Sequence, residues 1–326
     1  MKNPLFDIKL QFVAASLIAF ATTVHADYDW KDTEGKFLDL LRDGKPVVRY
    51  VYEAIDESST ERRDETYKPF CHVFVPGSSE AFLTKGPGGK FPHHRGIYYG
   101  FSKCSYTGED GKTKKNIDTW HCRKAHQVHR EFLKQNADAN SASFTSRIEW
   151  IDNEGKAFAS EERTMTFTHD GSALVVDFDS TLKPLVPELT VDGDPQHAGF
   201  QYRAHNDVAE KTAKQTVYTR PETGEAKPGQ TINWSDKNDT LKTRDLPWKV
   251  MSYVLDGKTW SVVYLDSEKN PKPARFSERD YGRFGSYFVA TATKEEPLTV
   301  DYRLVIDSGK TTAEEAEKLH AAFSGR

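Results

Sequence analysis

Residues 143–180 read SFTSRIEWIDNEGKAFASEERTMTFTHDGSALVVDFDS. Apolar and polar residues alternate in three segments of this stretch, at 143–150, 162–168 and 173–180. Alternation with a period of two places successive side chains on opposite faces of a β-strand. The segments are separated by Asp-, Asn- and Gly-rich runs at 152–155 and 169–171, which is the chemistry of hairpin turns. The stretch therefore predicts three consecutive antiparallel strands.

The same alternation recurs at 47–52, 248–255, 261–265, 286–291 and 298–306. One segment, opening at 311–315, instead has its apolar residues at helical spacing: Ala316, Leu319 and Phe323. Short strands at this spacing are typical of a sandwich. We predict a mainly β fold, with a large antiparallel β-sandwich domain at 27–309 and a short C-terminal helix at 310–326. Residues 208–245, rich in Lys, Thr, Asp and Pro, are expected to form a long surface excursion.

The amino terminus has the order of a secretory signal peptide. Lys2 and Lys9 precede an apolar run at 12–21, and small residues then lead to Ala26. The apolar run is shorter than the ~20 residues that a transmembrane helix needs. The sequence therefore predicts a signal peptide at 1–26. The mature chain would be exported to the periplasm or the medium and would carry no transmembrane segment.

Charge and cysteine content narrow the class of protein further. The formal net charge is −4 and the basic residues form no stripe, which argues against a nucleic-acid partner. Three cysteines are too few for a fold held by disulfides. In an exported chain one pair of them could form a bridge, and the sequence does not decide which pair of Cys71, Cys104 and Cys122 it would be.

Residues 91–100, FPHHRGIYYG, concentrate groups that titrate or donate hydrogen bonds, and DTWHC follows at 118–122. If the backbone is extended here, His93 and His94 lean to opposite faces. One ring would then enter a cleft while the other braces the wall behind it. Arg95 adds a planar fork for a carboxylate, a phosphate or sugar hydroxyls. We interpret this block as the rim of an active site.

Histidine suits proton transfer because its charge changes near neutral pH. We predict that His94 is a general acid or base, and that His121 or His197 is the opposite member of the pair. Arg95 and Arg203 would stabilise developing negative charge.

A carboxylate is expected to support this chemistry. Asp118 stands three residues before His121 and could orient its imidazole. Glu161 and Glu162 are weaker candidates for a carboxylate role, because a Glu-Arg pair is more often a plain strand surface.

A sugar site needs aromatic faces for the apolar side of the ring and polar groups for its hydroxyls. Trp120 fits a core position better than such a platform, since isolated aromatic residues usually pack inside. The predicted substrate-binding residues are His93, Tyr98, Tyr99, Trp120, Tyr202, His205, Trp248, Arg279 and Tyr281.

Several motifs follow one another in a fixed order. They are Lys68-Pro69-Phe70 with His72, His93-His94-Arg95-Gly96, Asp118-Thr119-Trp120-His121, Glu162-Arg163, Ala198-Gly199-Phe200-Gln201-Tyr202-Arg203, Leu246-Pro247-Trp248, Asn270-Pro271 and the block at 279–285. In this order they resemble the exported bacterial family labelled PmoA-like, or "methane oxygenase PmoA", over nearly all of the mature chain. The resemblance implies a large antiparallel sandwich similar to the supersandwich of galactose mutarotases and related carbohydrate-active enzymes.

These observations together predict a secreted carbohydrate-active enzyme of the glycosidase, lyase or epimerase type, with a small-molecule or oligosaccharide substrate and no cofactor. Two alternatives stay open. One is a metal-dependent oxygenase, as the family label suggests, with a divalent metal at the histidine cluster; imidazole suits such metals, but no compact motif such as His-Glu-x-x-His occurs. The other is a non-catalytic carbohydrate-binding protein.

Overall fold

The computed structural model describes residues 27–325. The predicted signal peptide at 1–26 lies outside the described residues. The described chain forms three antiparallel sheets, a short helix α1 (Thr60–Thr66) and a C-terminal helix α2 (Ala313–Ser324). The prediction of a mainly β, antiparallel fold that ends in a helix is confirmed.

The 21 strands are numbered in chain order. Sheet A has, in spatial order, β1 (Tyr28–Thr33), β2 (Phe37–Arg42), β3 (Lys45–Val51), β4 (Phe70–Val73), β5 (Ile97–Phe101), β13 (Ala198–Arg203), β19 (Arg283–Tyr287) and β18 (Arg275–Arg279). Sheet B has β15 (Gly224–Glu225), β14 (Val217–Arg220), β16 (Trp248–Leu255), β17 (Lys258–Asp266), β21 (Leu298–Ser308), β11 (Ala173–Pro184), β10 (Ala157–Asp170), β9 (Ala142–Ile151) and β8 (His126–Ala137). Sheet C has β20 (Ala290–Thr293), β12 (Glu188–Val191), β6 (Cys104–Thr107) and β7 (Thr113–Ile117).

Sheets A and B pack face to face through aromatic side chains. The Phe200 ring of β13 lies 4.4 Å from the Phe178 ring of β11 and 4.9 Å from the Tyr302 ring of β21, centroid to centroid. All three side chains are buried. Each large side chain removed from water in this way contributes roughly 1.5–3 kcal/mol to stability, so these rings hold the two sheets together.

Residues 143–180 fold as the alternation in their sequence predicts. Their segments become β9, β10 and β11, and each strand is longer than the alternation suggested. β10 pairs antiparallel with both neighbours, with Met165 opposite Phe144 of β9 and Phe178 of β11.

Helix α2 packs on the outer face of sheet B. The Thr312 hydroxyl oxygen accepts the backbone N–H of Glu315, and the Glu315 carboxylate accepts the backbone N–H of Thr312. This reciprocal pair of bonds is a capping box. Ala316 and Phe323 are buried in a small apolar cluster that also contains Trp248 and Val305. The helical spacing in the sequence therefore marked the face that docks.

Two local expectations were wrong, and one helix was not predicted. The predicted strand at 286–291 is divided, because the chain leaves β19 of sheet A at Tyr287 and enters β20 of sheet C at Ala290. Helix α1 was not predicted. Residues 208–245 are not wholly a surface excursion, since Val208 is buried and β14 pairs with β16 inside sheet B.

All three cysteines are buried free thiols. Burial raises the pKa of Cys71 and of Cys122 to about 12, which keeps both protonated at neutral pH. The bridge that the sequence left open is therefore absent from this fold. Among residues 27–325, no helix is long and apolar enough to cross a membrane.

Sheet A is covered on its outer face as well as its inner one. In β5, Tyr99 faces Trp150 and Phe178 of sheet B, so the preceding Tyr98 faces outward, where its ring packs on Trp120. By the same alternation, Phe284 of β19 packs on Tyr264 of sheet B. The neighbouring outward positions on β13 and β19 are Arg203 and Arg283, and loops close over them. This loop-covered face carries the candidate site.

Candidate active site

Three imidazole rings meet above the outer face of sheet A. The ring centroids of His93 and His121 are 4.5 Å apart, those of His121 and His197 4.6 Å, and those of His93 and His197 5.4 Å. All three side chains are half-buried, so the group is open to solvent on one side. We call His93, His121 and His197 the histidine cup.

Three separate loops supply the cup. His93 lies in the loop before β5, His121 in the loop between β7 and β8, and His197 directly before β13. Lys68 ties two of these loops together, because its Nζ donates to the carbonyl of His93 at 2.8 Å and to that of Trp120 at 2.5 Å. The geometry of the cup therefore depends on buried bonds beneath it.

The prediction that His93 and His94 lean to opposite faces is wrong. The backbone here is a turn, in which the His94 N–H donates to the Phe91 carbonyl at 3.0 Å and Phe91 has φ +57°. A turn does not alternate its side chains as a strand does. The two rings accordingly lie on the same side, with centroids 4.3 Å apart.

Asp118 fixes the orientation of His121. Its Oδ1 accepts the backbone N–H groups of Trp120 and His121 at 3.0 and 2.8 Å, and its Oδ2 lies 2.8 Å from His121 Nδ1. Burial by itself would raise the pKa of Asp118, but the bonds from His121 and Trp120 lower it below its ordinary value. Asp118 is therefore an ionised partner of this imidazole, the role proposed for it from the sequence.

Asp194 holds His197 in the same way, and this residue was not predicted from the sequence. Both of its carboxylate oxygens lie 3.0 Å from His197 Nδ1, and Oδ1 also accepts the Gln196 N–H at 2.9 Å. These bonds overcome the opposing effect of burial and lower the pKa of Asp194 to about 2. The sequence does contain a pattern that could have identified Asp194, because Asp118-x-x-His121 and Asp194-x-x-His197 share one spacing.

His94 lies beneath the cup and is 2% exposed. Neither of its ring nitrogens has a hydrogen-bond partner among the described residues. Burial is the main reason that its pKa is held well below the ordinary value, and the nearby Arg283 adds to the effect. His94 is thus a neutral ring in this structure, and its role as acid or base stays a prediction.

Two buried guanidinium groups stand behind His94. Arg203 donates to the Ala204 carbonyl at 2.9 Å and to the Tyr281 carbonyl, and Arg283 donates to Gln201 Oε1 at 2.8 Å. In each arginine, Nε and Nη2 have no partner within residues 27–325. Neither forms an ion pair with a described carboxylate, so the wall behind the cup holds positive charge without a matching acid.

Three predicted aromatic residues line the site in other ways. The Tyr281 ring packs 4.6 Å from the Phe91 ring and 4.9 Å below the Arg203 guanidinium. Trp120 is buried under the cup, 6.0 Å from His94 and 5.2 Å from Tyr98, as the core interpretation expected. Tyr98 is also buried, so both rings form the floor and cannot stack on a sugar.

Three predicted polar residues take other positions. Arg95 donates to the carbonyls of Pro92 and Asp64, which anchors the loop that carries His93. Arg279 donates to the Glu278 carbonyl at 2.8 Å. His205 takes part in none of the ring contacts that define the cup, and its Nδ1 accepts the Asp207 N–H at 3.2 Å.

The remaining predicted aromatic residues serve the core. Tyr99 faces sheet B, Tyr202 bonds to the Tyr253 hydroxyl at 2.9 Å, and Trp248 Nε1 donates to Glu317 of α2 at 2.7 Å. All three are buried and lie away from the cup. Strand alternation directs Tyr99 and Tyr202 to the interior of the sandwich, and Trp248 lies on the far face of sheet B, where α2 docks. The weaker candidate Glu161 is also interior, paired with Arg163 at 2.8 Å.

A cavity of about 640 Å³ lies elsewhere, between strand ends of sheets A and B, lined in part by Arg42, Lys45, His169 and Trp260. It contains none of the predicted site residues. The cup is the better candidate, because three imidazoles, two of them oriented by carboxylates, converge there, whereas the cavity has the single imidazole of His169.

Comparison with solved structures finds neighbours at low similarity. The GH36 alpha-galactosidase AgaB from Geobacillus stearothermophilus is 8% identical, covers 87% of this chain and has a TM-score of 0.43. This chain spans 41% of the length of that enzyme.

Two smaller proteins match along almost their whole length. A galactose mutarotase related enzyme from Lactobacillus acidophilus is 10% identical, with a TM-score of 0.36 over 87% of this chain and 98% of its own. A galactose mutarotase-like protein from Clostridium acetobutylicum is 9% identical, with a TM-score of 0.38 over 87% and 99%. Likeness at this level transfers neither a site nor an activity.

No curated protein matches the sequence. A family model does match, over residues 38–321, and its description is a family of unknown function, DUF6807. Nothing in this match indicates the PmoA-like family, so that assignment from the ordered motifs is wrong. The match covers nearly all of the described chain, and the protein therefore belongs to the family of unknown function DUF6807.

Proposed function

We propose that this protein is an enzyme that acts on a carbohydrate, or on a similarly hydroxyl-rich small molecule, at the histidine cup. The observation that carries the proposal is the convergence of His93, His121 and His197 from three loops, with two of the rings held by Asp118 and Asp194. Packing alone does not require imidazoles that are oriented by carboxylates, because apolar side chains would fill the same space without the free-energy cost of burying polar groups. Such pairs are a common means of fixing the position of a reactive ring nitrogen.

The orientation of the rings determines what they can do. Because Nδ1 of His121 and of His197 faces a carboxylate, Nε2 of each ring points away from that carboxylate. A nitrogen held in this way can exchange a proton with a substrate oxygen or polarise it.

The wall of the site favours an oxygen-rich substrate. Behind and beneath the cup, Arg203, Arg283 and the Trp120 indole each have a buried N–H that lacks a partner in the described chain. Hydroxyl and carbonyl oxygens are acceptors, and positive charge behind the cup would stabilise negative charge that develops on them. Phe91 and Tyr281 add aromatic surface at the edge.

Export is part of the proposal. The predicted signal peptide would place the enzyme in the periplasm or outside the cell, where soluble saccharides are available as substrates. N-terminal sequencing of the secreted protein should begin at Asp27; a secreted protein that retains residues 1–26 would contradict it.

The test is a substrate screen with a matched pair of variants. The wild type, His121→Ala and His320→Ala are incubated with a panel of mono- and oligosaccharides, and products are followed by liquid chromatography and mass spectrometry. His320 is a suitable control because it lies on α2, on the far face of sheet B.

We expect one product with the wild type and with His320→Ala, and at least a ~100-fold lower rate with His121→Ala. An unchanged rate in His121→Ala would show that the reaction does not take place at the histidine cup. Tight saccharide binding without any product would instead identify a binding protein and overturn the proposal.

A further inference from the structure

We propose that His93, His121 and His197 together bind one divalent transition-metal ion, with zinc as the representative. The proposal concerns the same cup as the proposed function and would add a metal to its chemistry. It can be tested without knowledge of the substrate.

The nitrogens of the three rings lie close to the separation that a shared ion requires. One nitrogen of each lies within 4.8 Å of one nitrogen of each of the other two. Ligands at 2.0–2.1 Å from a tetrahedral ion are about 3.3 Å apart. The rings therefore need to close by about 1.5 Å at most, which rotation about their side-chain bonds can supply.

The free nitrogens are those that a metal would use. The Nδ1 atoms of His121 and His197 are occupied by Asp118 and Asp194, which leaves Nε2 of each ring as the ligand atom. The Nε2 of His93 is buried and has no hydrogen-bond partner among the residues described. A buried ring nitrogen without a partner is costly, and coordination would remove that cost.

The two carboxylates supply independent support. A histidine that binds a metal typically donates its other N–H to a carboxylate, which fixes the tautomer and makes the ligand nitrogen more basic. The cup has this arrangement twice, through Asp118 at 2.8 Å and Asp194 at 3.0 Å. The two Asp-x-x-His units lie in the loops between β7 and β8 and between β12 and β13. Connecting these strands does not require the same Asp-x-x-His spacing in both loops, nor that both units face a third histidine.

The donor set selects the class of ion. Three imidazoles suit zinc, copper, iron or nickel, whereas calcium and magnesium prefer oxygen ligands. The His121 and His197 side chains are each 24% exposed, so the open side of the cup leaves room for water or a substrate as a further ligand. Three protein ligands and one open position are the pattern of a catalytic site rather than of a closed structural one.

The experiment uses the full chain, stripped with a chelator and dialysed. Zinc binding is measured by competition with a chromophoric chelator, and cobalt(II) is then added to read the ligand geometry from its visible spectrum. The variants are His197→Ala, Asp194→Asn and, as controls outside the cup, His205→Ala and His126→Ala. Asp194→Asn keeps the size of the side chain, and far-UV circular dichroism confirms that each variant is folded.

We expect one zinc per chain, binding weaker by more than ~100-fold in His197→Ala, and binding weaker by about 10- to 100-fold in Asp194→Asn. Both controls should bind as the wild type does, and cobalt should give the intense bands of a four- or five-coordinate site. Absence of binding in the folded wild type would overturn the proposal, as would equal losses in His205→Ala and His197→Ala.

The two proposals can fail separately. Saccharide turnover by chelator-treated protein that binds no zinc would reject the metal site and leave the proposed function standing. Stoichiometric zinc that depends on His197, without turnover of any saccharide, would keep the metal site and reject the carbohydrate function.

Discussion

The buried pair Glu161–Arg163 should be among the most sensitive points of the fold. Arg163 Nε and Nη2 donate to the two oxygens of Glu161 at 2.8 and 2.9 Å, and the side chains are 2% and 0% exposed. Trp150 Nε1 and Ser180 Oγ donate to the same carboxylate at 2.8 and 2.9 Å. Every member of this group lies in sheet B and is shielded from water.

Arg163→Met keeps most of the side-chain volume but removes the charge. Glu161 is then a buried carboxylate with only neutral donors, and breaking a buried pair from one side costs about 3–5 kcal/mol. Urea denaturation, followed by circular dichroism, should show that loss in the free energy of unfolding. Lys318→Met is the control, because its pair with Glu314 on α2 is exposed and contributes less than about 1 kcal/mol.

A double variant separates lost charge pairing from lost packing. Glu161→Gln combined with Arg163→Met leaves no unpaired charge, and the Gln amide oxygen can still accept from Trp150. We expect the double variant to be more stable than Arg163→Met alone. The reasoning would be refuted if Arg163→Met cost no more than Lys318→Met, or if adding Glu161→Gln lowered the stability further.

Three further predictions concern stability. Burial, helped by Arg49, lowers the pKa of His72 to about 3, so only the unfolded chain takes up this proton between about pH 6.5 and that value. His72 alone should therefore lower the free energy of unfolding by about 2 kcal/mol from pH 7 to about pH 5, and the fall in the wild type should exceed the fall in His72→Gln by about this amount; equal slopes in urea titrations would contradict this. Gly199→Ala should cost at least about 2 kcal/mol, since φ is +80° and the new Cβ would lie 2.0 Å from the Ser286 carbonyl, whereas Gly257→Ala, with φ +74° and open space, should cost less. Thr312→Ala should lower the thermal midpoint by an amount equivalent to about 1 kcal/mol, through loss of the α2 cap; an unchanged midpoint would show that packing alone holds the helix.

Strands could be predicted where one face of the sheet meets the core and the other meets solvent. Burial alternates along most of β10 and along the second half of β11, and the period of two in the sequence found both strands. The outer face of sheet A is covered by loops, so every residue of β5 and of β13 is buried. Alternation then no longer tells the inner face from the outer one, and for this reason Tyr98 and Tyr99 could not be assigned to different faces.

The site was predictable in part, from local motifs. The block around His93 and the Asp118-His121 pair were recognisable because their members are close in sequence. The contribution of His197 to the same cup depends on the pairing of β13 with β5, which is a contact between distant segments. The burial of Lys68 under two loops was not predicted, because nothing in the local motif Lys68-Pro69-Phe70 indicates it.

Arg283 provides the sharpest contrast with Arg163, and it bears directly on the proposed site. Both guanidinium groups are buried, but Arg283 bonds only to neutral groups among the described residues: Gln201 Oε1, Ser277 Oγ and the Pro195 carbonyl. Arg283→Met therefore leaves no carboxylate unpaired, and it removes a charge that burial itself disfavours.

We expect Arg283→Met to lower the free energy of unfolding by at least about 2 kcal/mol less than Arg163→Met does, in the same urea experiment. A buried charge that adds nothing to the free energy of unfolding is retained for function, because stability and activity often oppose each other at active sites. Equal losses in the two variants would mean that an anion pairs with Arg283 in solution, and the wall behind the cup would then be a filled anion site and not a source of free donors.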